Sequence, residues 1–184
     1  MIVNQKEFVV MARHTAGDIM IPIEDYPHIP YWFTLRQAVA EIEKSSIDAS
    51  GRTSLPRALL VFDEKYNLVG MCRRRDILRG LEPKFLRTMG VKHREEIFDL
   101  ATDPNLVDIS EGKIGKAMQE QAETKVSEVM APIISTVDFS DHLAKVIYKL
   151  LSRDLYMIPV LKDDKVIGVV RTVDVFHEIA KILL

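Results

Sequence analysis

One phrase occurs twice in this chain, 98 residues apart. Residues 68–78 read LVGMCRRRDIL, and residues 166–176 read VIGVVRTVDVF. In each copy an apolar run with one glycine ends in arginine, and an aspartate stands three residues after that arginine. A repeat of this kind indicates that the chain contains two copies of one supersecondary unit.

The phrase is the end of a longer repeated unit. Residues 18–22 (DIMIP) return as 128–132 (EVMAP), and apolar residues three or four positions apart follow each copy, which predicts an amphipathic helix. The helical positions are Leu35, Ala38, Val39 and Ile42 in one copy, and Leu143, Val146, Ile147 and Leu150 in the other. Two apolar runs split by a polar turn then predict a hairpin, and a last helix begins near Asp76 and near Asp174. The predicted order in each copy is strand, helix, strand, strand, helix.

Composition and charge argue against several classes of function. The 184 residues are 47% apolar and carry a net charge of −2, which is typical of a globular protein and gives no general attraction to nucleic acid. No apolar run approaches the roughly 20 residues that cross a bilayer, and the N-terminus lacks a signal-peptide pattern. Cys72 is the single cysteine and the five histidines are scattered, with no metal-ligand or catalytic spacing. We therefore expect a cytoplasmic protein that is not an enzyme and that binds neither nucleic acid nor a membrane.

Several features together resemble cystathionine-β-synthase (CBS) domains. They are the methionine-containing segments that begin each copy (Met20 and Met130), the apolar helix, the run 157–160 (MIPV) and the repeated glycine-to-aspartate phrase. Two such units in tandem resemble a Bateman module. The resemblance implies an α+β fold in which two βαββα repeats pack sheet to sheet around a pseudo-two-fold axis. The expected divisions are an N-terminal segment 1–14, a first repeat 15–82, a helical linker 83–124 and a second repeat 125–184.

The resemblance also implies a function. CBS pairs generally sense adenosine-containing ligands, namely AMP, ADP, ATP or S-adenosylmethionine, in clefts between the repeats. This chain is therefore expected to be a regulatory module that takes an adenine nucleotide as its ligand and requires no cofactor. It would act on a downstream protein partner that the sequence does not identify.

The family pattern, carried onto this chain, implies a ligand site in each repeat. In the second repeat the implied contacts are Thr136 and Val137 beside the base, Ile158 and Pro159 against its face, Asp174 at the ribose and Arg171 at the phosphate. In the first repeat they are His28, Ile29, Leu59, Leu60, Asp76 and Arg73. His28 stands where threonine is usual and Leu60 stands where proline is usual, so the second site matches the pattern better.

The arginine and the aspartate of the repeated phrase each have two interpretations. Arg73 and Arg171 replace the usual threonine or serine, and a guanidinium there either binds phosphate oxygens or blocks the cleft. Asp76 and Asp174 either hold a ribose or cap their helices, because a carboxylate is stabilised at a helix N-terminus. The alternative to a ligand sensor is a ligand-free structural or dimerisation module whose clefts are closed by Arg73 and Arg171.

Three further predictions concern the surface and the connections. A homodimer is predicted through apolar positions of the two last helices, namely Val175, Ile179, Ile182 and Leu183 in one repeat and Ile77, Leu78 and Leu81 in the other. The linker is predicted to form two short helices separated by residues 102–105. Residues 45–56, rich in serine with a glycine and a proline, are predicted to be a mobile insertion.

Overall fold

The computed structural model describes residues 14–49, 51–84 and 104–184. The helices are α1 (Ala16–Ile19), α2 (Leu35–Lys44), α3 (Arg74–Leu81), α4 (Pro104–Gln121), α5 (Leu143–Ser152) and α6 (Thr172–Leu183). The strands are β1 (Ile21–Pro22), β2 (His28–Pro30), β3 (Ile47–Ala49), β4 (Arg52–Ser54), β5 (Ala58–Phe62), β6 (Leu68–Arg73), β7 (Val137–Asp138), β8 (Met157–Lys162) and β9 (Lys165–Arg171). Single 3₁₀ turns lie at Ile23–Asp25 and Val126–Glu128.

Both repeats have the predicted order of elements, and the prediction is confirmed. In the first repeat β2 runs parallel to β5, with Ile29 opposite Val61, and β5 pairs antiparallel with β6. In the second repeat β7 runs parallel to β8, with Val137 opposite Val160, and β8 pairs antiparallel with β9. The register shifts directly after Val61 and after Val160, so even the irregularity of the sheet is repeated.

Helix α2 shows how the local sequence determines an element. The Thr34 hydroxyl accepts a hydrogen bond from the Gln37 backbone N–H at 3.3 Å, and the Gln37 side chain accepts one from the Thr34 N–H at 2.9 Å. This reciprocal pair satisfies donors that a helix start leaves open. The buried face consists of Leu35, Ala38 and Ile42, three of the positions predicted from the spacing.

The entry segments of the two repeats are exchanged in space. Residues 14–22 pack on the second repeat, where the Gly17 N–H donates to the Phe139 carbonyl at 2.9 Å and β1 pairs with β9. Residues 122–131 pack on the first repeat, where Met71 and Ala131 exchange backbone hydrogen bonds of 2.9 and 2.8 Å. Each entry segment therefore covers the edge of the other repeat's sheet, which protects that edge from open pairing.

The glycine of the repeated phrase makes this exchange possible. A Cβ atom on Gly168 would lie 2.5 Å from the Ile21 carbonyl oxygen and 2.8 Å from the Met20 sulfur. A Cβ atom on Gly70 would lie 2.9 Å from the Ala131 carbonyl oxygen and 2.8 Å from the Met130 sulfur. Only a residue without a side chain lets the crossing backbone approach so closely.

The core consists of one apolar cluster within each repeat and a third between them. The third cluster joins both sheets and contains Ile21, Tyr26, Ile47, Leu60, Phe62, Met71, Met157 and Val169. Complete burial of a leucine or methionine side chain contributes about 1.5–3 kcal/mol. The two repeats therefore share one apolar interface, as the expected sheet-to-sheet packing requires.

The insertion in the first repeat differs from the prediction. Strands β3 (Ile47–Ala49) and β4 (Arg52–Ser54) pair antiparallel, where a mobile insertion was predicted. Ile47 is fully buried in the cluster between the repeats, and this burial anchors the hairpin. The serine and glycine content predicted a mobile insertion and did not reveal that the Ile47 side chain reaches the core.

The apolar positions that predicted a dimer face serve mainly as core. Ile77 and Val175 are buried, and Leu81 and Ile179 pack against the core clusters, whereas Leu78 and Leu183 are exposed. An apolar stripe that contacts the protein's own sheet has the same spacing as one that contacts a partner, so the pattern does not distinguish them. The homodimer itself stays a prediction.

The linker prediction is partly corrected. Helix α4 begins at Pro104 and spans 18 residues, so Pro104 and Asn105 lie inside a helix where a break was predicted. Proline is favoured in the first turn of a helix, where its missing N–H costs nothing. The first predicted helix of the linker, around residues 97–101, lies outside the described residues.

Candidate functional site

The arginine and aspartate of the first repeated phrase contact each other. Asp76 lies in the first turn of α3, and its Oδ2 accepts hydrogen bonds from the Arg73 backbone N–H at 3.1 Å and from Arg73 Nε at 2.6 Å. Arg73 Nη2 donates to Oδ1 at 2.8 Å, so the ion pair is bidentate. Asp76 is only 3% exposed, and its hydrogen bond raises the pKa of Arg73 above its usual value.

The second copy repeats this geometry and adds one contact. Asp174 accepts hydrogen bonds from the Arg171 N–H, Nε and Nη2 at 3.0, 2.8 and 2.6 Å. The remaining terminal nitrogen, Nη1, donates to the Ser54 hydroxyl at 2.9 Å. Arg171 is therefore held by its own helix and by the hairpin of the first repeat.

These contacts show that both aspartates cap their helices. The carboxylate satisfies the N–H of the residue before the helix and balances the charge of the arginine there. A ribose that approached Asp76 or Asp174 would have to share or displace the guanidinium. The roles of the two aspartates at a ribose, and of Arg73 and Arg171 at a phosphate, stay predictions.

Two cavities lie where the repeats meet, beside these ion pairs. The first cavity has a volume of about 400 Å³ and is lined by Tyr26, Ser54, Leu55, Arg57, Tyr156, Arg171, Thr172, Val173 and Phe176. The second has a volume of about 470 Å³ and is lined by Arg57, Met71, Arg73, Arg74, Arg75, Ala131, Pro132, Ile134, Asp154, Leu155, Tyr156 and Met157. We call them cleft 1 and cleft 2. Each combines the start of one repeat's last helix with the residues before the other repeat's central strand.

Two tyrosines form the wall between the clefts and the core. The Tyr26 hydroxyl donates to the Ala58 carbonyl at 3.0 Å and contacts the Met157 sulfur at 3.3 Å, and the Tyr156 hydroxyl contacts the Met71 sulfur at 3.2 Å. Burial raises the pKa of both tyrosines well above the usual value, so both remain neutral. They offer aromatic surface to the clefts without adding charge.

A third, more polar cavity of about 310 Å³ has Asp174 in its lining. Asp18, Asp48, Glu178 and Lys181 contribute to its lining. Glu178 accepts a hydrogen bond from Lys181 at 2.6 Å, and hydrogen bonds from Thr15 lower the pKa of Asp18. Within residues 14–49, 51–84 and 104–184, no group of three or more His, Cys, Asp or Glu side chains has the arrangement of a metal site.

The implied base contacts of the second repeat lie mainly in the core. Val137 and Ile158 are 1% and 0% exposed within the core of that repeat, and Pro159 is also buried. The Thr136 carbonyl accepts a hydrogen bond from Lys149 Nζ at 2.6 Å. None of these four residues is among the described lining of the three cavities. Their contact with a base stays a prediction.

The implied base contacts of the first repeat also lie in the core or contact other protein groups. Ile29, Leu59 and Leu60 are buried in core clusters. His28 lies in an aromatic group, where Nδ1 contacts the Tyr26 carbonyl at 2.9 Å and Nε2 contacts the Tyr66 hydroxyl at 3.0 Å. Both ring nitrogens are thus engaged within the protein, and the structure does not bring His28 to either cleft.

Sequence reasoning did not identify Arg57 and Tyr156, which line both clefts. They occupy equivalent positions, each immediately before the buried central strand of its repeat. The sequence signal for them was a long polar or amphipathic side chain immediately before the central strand in both repeats. Cys72 offers no nucleophile beside them, because burial raises the pKa of its thiol to about 12.

The described helices include none that is both long and apolar enough to cross a membrane. A search of curated proteins gives no match. The profile of the CBS domain matches residues 126–181. Modules with this domain are generally regulatory rather than catalytic.

Solved structures resemble the chain over almost its whole length. The CBS domain of a CBS domain-containing membrane protein from Sphaerobacter thermophilus is 18% identical, with a TM-score of 0.63 over 98% of this chain and 94% of that one. A CBS domain-containing protein from Bacillus anthracis is 20% identical, with a TM-score of 0.63 over 97% and 99%. CBSX2, crystallised in complex with AMP, is 19% identical, with a TM-score of 0.58 over 92% and 98%. Residues 126–181 therefore match a CBS domain, and the likeness to the solved structures shows that the chain has the α+β fold of a tandem CBS pair.

Proposed function

We propose that the protein is a regulatory module that binds an adenine nucleotide (AMP, ADP, ATP or S-adenosylmethionine) between its two CBS repeats. The observation that carries the proposal is the position of cleft 1 and cleft 2. Each is lined by residues of both repeats, so a ligand in either one contacts both halves of the molecule. The AMP complex of CBSX2, which shares the fold, supports the class of ligand.

The size and chemistry of the clefts suit such a ligand. Volumes of about 400 and 470 Å³ lie within the range of roughly 300–1,000 Å³ that small-molecule sites occupy. Tyr26, Tyr156 and Phe176 provide aromatic surface for a base, while arginines provide positive charge for phosphate.

Regulation would follow from differential affinity. A ligand that contacts both repeats favours the packing that closes the cleft around it, and it shifts the population of conformations by the difference in affinity. A protein partner that recognises one packing would then respond to the nucleotide.

Isothermal titration calorimetry of the purified chain with AMP, ADP, ATP and S-adenosylmethionine tests the proposal. We expect saturable heat and a rise in thermal midpoint with at least one of them. The absence of both for all four compounds would contradict ligand sensing.

One observation favours a second function, a ligand-free structural or dimerisation module. Arg73 and Arg171 are already paired with Asp76 and Asp174, and Arg171 also binds Ser54. This function predicts a homodimer whose mass in sedimentation velocity is the same with and without nucleotide. A monomer at micromolar concentration would exclude it, and a nucleotide-dependent mass would favour the sensor.

A further inference from the structure

We infer that cleft 2 is an anion site in which Arg57, Arg74 and Arg75 bind the polyphosphate tail of the ligand. The inference rests on the proposed function for the identity of the nucleoside and deepens it by naming the cleft and the charge that it selects. Ligands with several negative charges, such as nucleoside di- and triphosphates, are therefore preferred to S-adenosylmethionine, which carries a sulfonium cation.

The lining of cleft 2 carries a net positive charge. Four arginines and one carboxylate, Asp154, belong to the described lining of cleft 2. Arg73 is neutralised by Asp76, which leaves three guanidinium groups facing one carboxylate. The cleft is therefore positive even when the ion pair beside it is included.

The guanidinium groups of Arg57, Arg74 and Arg75 pair with no other side chain in the part of the chain that the structure describes. All three side chains are exposed. Arg74 and Arg75 begin α3, where positive charge opposes the helix dipole. Without a bound anion, the positive charges of these arginines repel one another and oppose the helix dipole. A bound polyphosphate would attract both the arginines and the helix N-terminus.

Cleft 1 has fewer cationic side chains in its described lining than cleft 2. Its cationic lining consists of Arg57, shared with cleft 2, and Arg171. Arg171 already donates to Asp174 and to Ser54, so an anion would have to displace one of them. Free positive charge is therefore concentrated in cleft 2, although the family pattern is more complete in the second repeat around Asp174.

The lining of cleft 2 also contains apolar and aromatic residues, namely Met71, Ile134, Leu155, Met157 and Tyr156. A cavity that combines apolar surface with guanidinium groups fits a molecule that has an aromatic base at one end and a polyanion at the other. Inorganic tripolyphosphate carries the anionic part alone and is the simplest probe of the site.

The test is calorimetric titration at a fixed ionic strength of about 0.15 M, since screening would otherwise vary with the added anion. Tripolyphosphate, adenosine, AMP, ADP, ATP and S-adenosylmethionine are titrated into the wild type and into Arg57→Gln and Arg74→Gln/Arg75→Gln. Arg36→Gln is the matched control, because its guanidinium pairs with Glu123 on the surface and is absent from the lining of both clefts. All variants change exposed side chains, and circular dichroism verifies that they are folded.

We expect tripolyphosphate to bind the wild type and nucleotide affinity to rise from adenosine to ATP. Each guanidinium removed should weaken tripolyphosphate and ATP about five- to tenfold, and Arg36→Gln should change neither by more than about twofold. Nucleotide binding that is insensitive to both the phosphate number and the arginines would overturn the inference and leave the proposed function intact. Failure of tripolyphosphate to bind, or equal binding to the double variant, would also overturn it. Arginine-dependent binding of tripolyphosphate without any adenosyl ligand would support the anion site and refute the nucleotide sensor.

Discussion

The guanidinium of Arg171 and the hydroxyl of Ser54 are joined by a hydrogen bond of 2.9 Å that spans 117 positions of the chain. Ser54 ends the hairpin inserted into the first repeat, and Arg171 precedes the last helix of the second. The hairpin is therefore fastened to the second repeat at the rim of cleft 1.

Ser54→Ala should loosen this hairpin. Loss of a hydrogen bond to a charged group costs about 1–2 kcal/mol when the groups are half-buried, and the effect should be local. Faster amide hydrogen exchange in β3 and β4 is the measurement. Thr53→Ala is the control for loss of a hydroxyl contact inside the hairpin, because Thr53 binds Asp48 and Ser54 has a long contact of 3.5 Å with the Ile47 carbonyl. Exchange in Ser54→Ala should exceed that in Thr53→Ala if the contact with Arg171 holds the hairpin. Equal protection in Ser54→Ala and the wild type would show that the contact does not hold the hairpin.

Asp76→Asn and Asp174→Asn should each destabilise the fold by about 2–3 kcal/mol. The amide oxygen still accepts a hydrogen bond at the helix start, but the arginine loses its charged partner in a poorly solvated position. Urea unfolding measures the free energy of unfolding of each variant. Arg36→Gln, which breaks the exposed pair with Glu123, should cost less than about 0.5 kcal/mol. Similar values for the exposed and the buried pairs would contradict this account of the repeated phrase.

Gly168→Ala should destabilise by about 1–3 kcal/mol, because the new methyl group meets the Ile21 carbonyl oxygen at 2.5 Å and backbone must move. Gly115→Ala is the control, since a Cβ there has nothing within 4 Å and lies in the interior of α4. It should stabilise by about 0.5–1 kcal/mol through helix propensity. Thermal and urea unfolding of the two variants should therefore change in opposite directions, and a neutral Gly168→Ala would refute the close crossing of the entry segment.

Ile134→Trp should weaken nucleotide binding more than about tenfold while the protein remains folded. Ile134 is 54% exposed and lines cleft 2, so a larger ring can enter the cleft without displacing core residues. Ile134→Val is the conservative control and should bind as the wild type does. Titration with ATP is the measurement, and undiminished binding to Ile134→Trp would place the nucleotide elsewhere.

The free energy of unfolding should decrease as the pH rises above 9. The folded state keeps the Cys72 thiol protonated, since its pKa is raised to about 12 from 9.0, whereas the unfolded chain releases that proton. The stabilisation that comes from the protonated Cys72 thiol is complete below pH 9 and is lost between pH 9 and 12. Over this interval the free energy of unfolding falls by at most about 1.4 kcal/mol per pH unit. Tyr26 and Tyr156 act in the same direction from about pH 10, because their pKa values are also raised.

Urea unfolding between pH 9 and 10 isolates the cysteine from the tyrosines. Cys72→Ala should flatten the pH dependence in this interval and lower stability at all pH values by the cost of a small cavity. A slope that persists in Cys72→Ala would assign the effect to another group.

The elements of the fold were predictable because their determinants are neighbours in sequence. The spacing of Leu35, Ala38 and Ile42 specifies a helix face, and the polar turn between β8 and β9 specifies a hairpin. The Arg-x-x-Asp contact is equally local, since residues three apart meet at the start of a helix. For this reason capping was among the interpretations open from the sequence.

The site was predicted less completely, because it is assembled from distant segments. Arg57 and Tyr156 meet at the clefts only when the first and second repeats pack together, and neither belongs to a motif. His28 occupies a family position where threonine is usual, but its ring packs against Phe62 and Tyr66 and is not among the described lining of either cleft. A family resemblance indicates which positions of two chains correspond. The contacts of each side chain depend on how the protein packs around it.

By itself, the amino-acid sequence determined that this protein consists of two copies of one unit, with a glycine and an Arg-x-x-Asp phrase in each. It did so because repetition, periodicity and helix capping depend on residues close together in the chain. Only the tertiary structure decided that Met20 crosses onto the repeat of Gly168, that Ser54 binds Arg171, and that four arginines line one cleft together with apolar residues. Such contacts depend on how surfaces about a hundred residues apart fit together, and no local pattern encodes that fit.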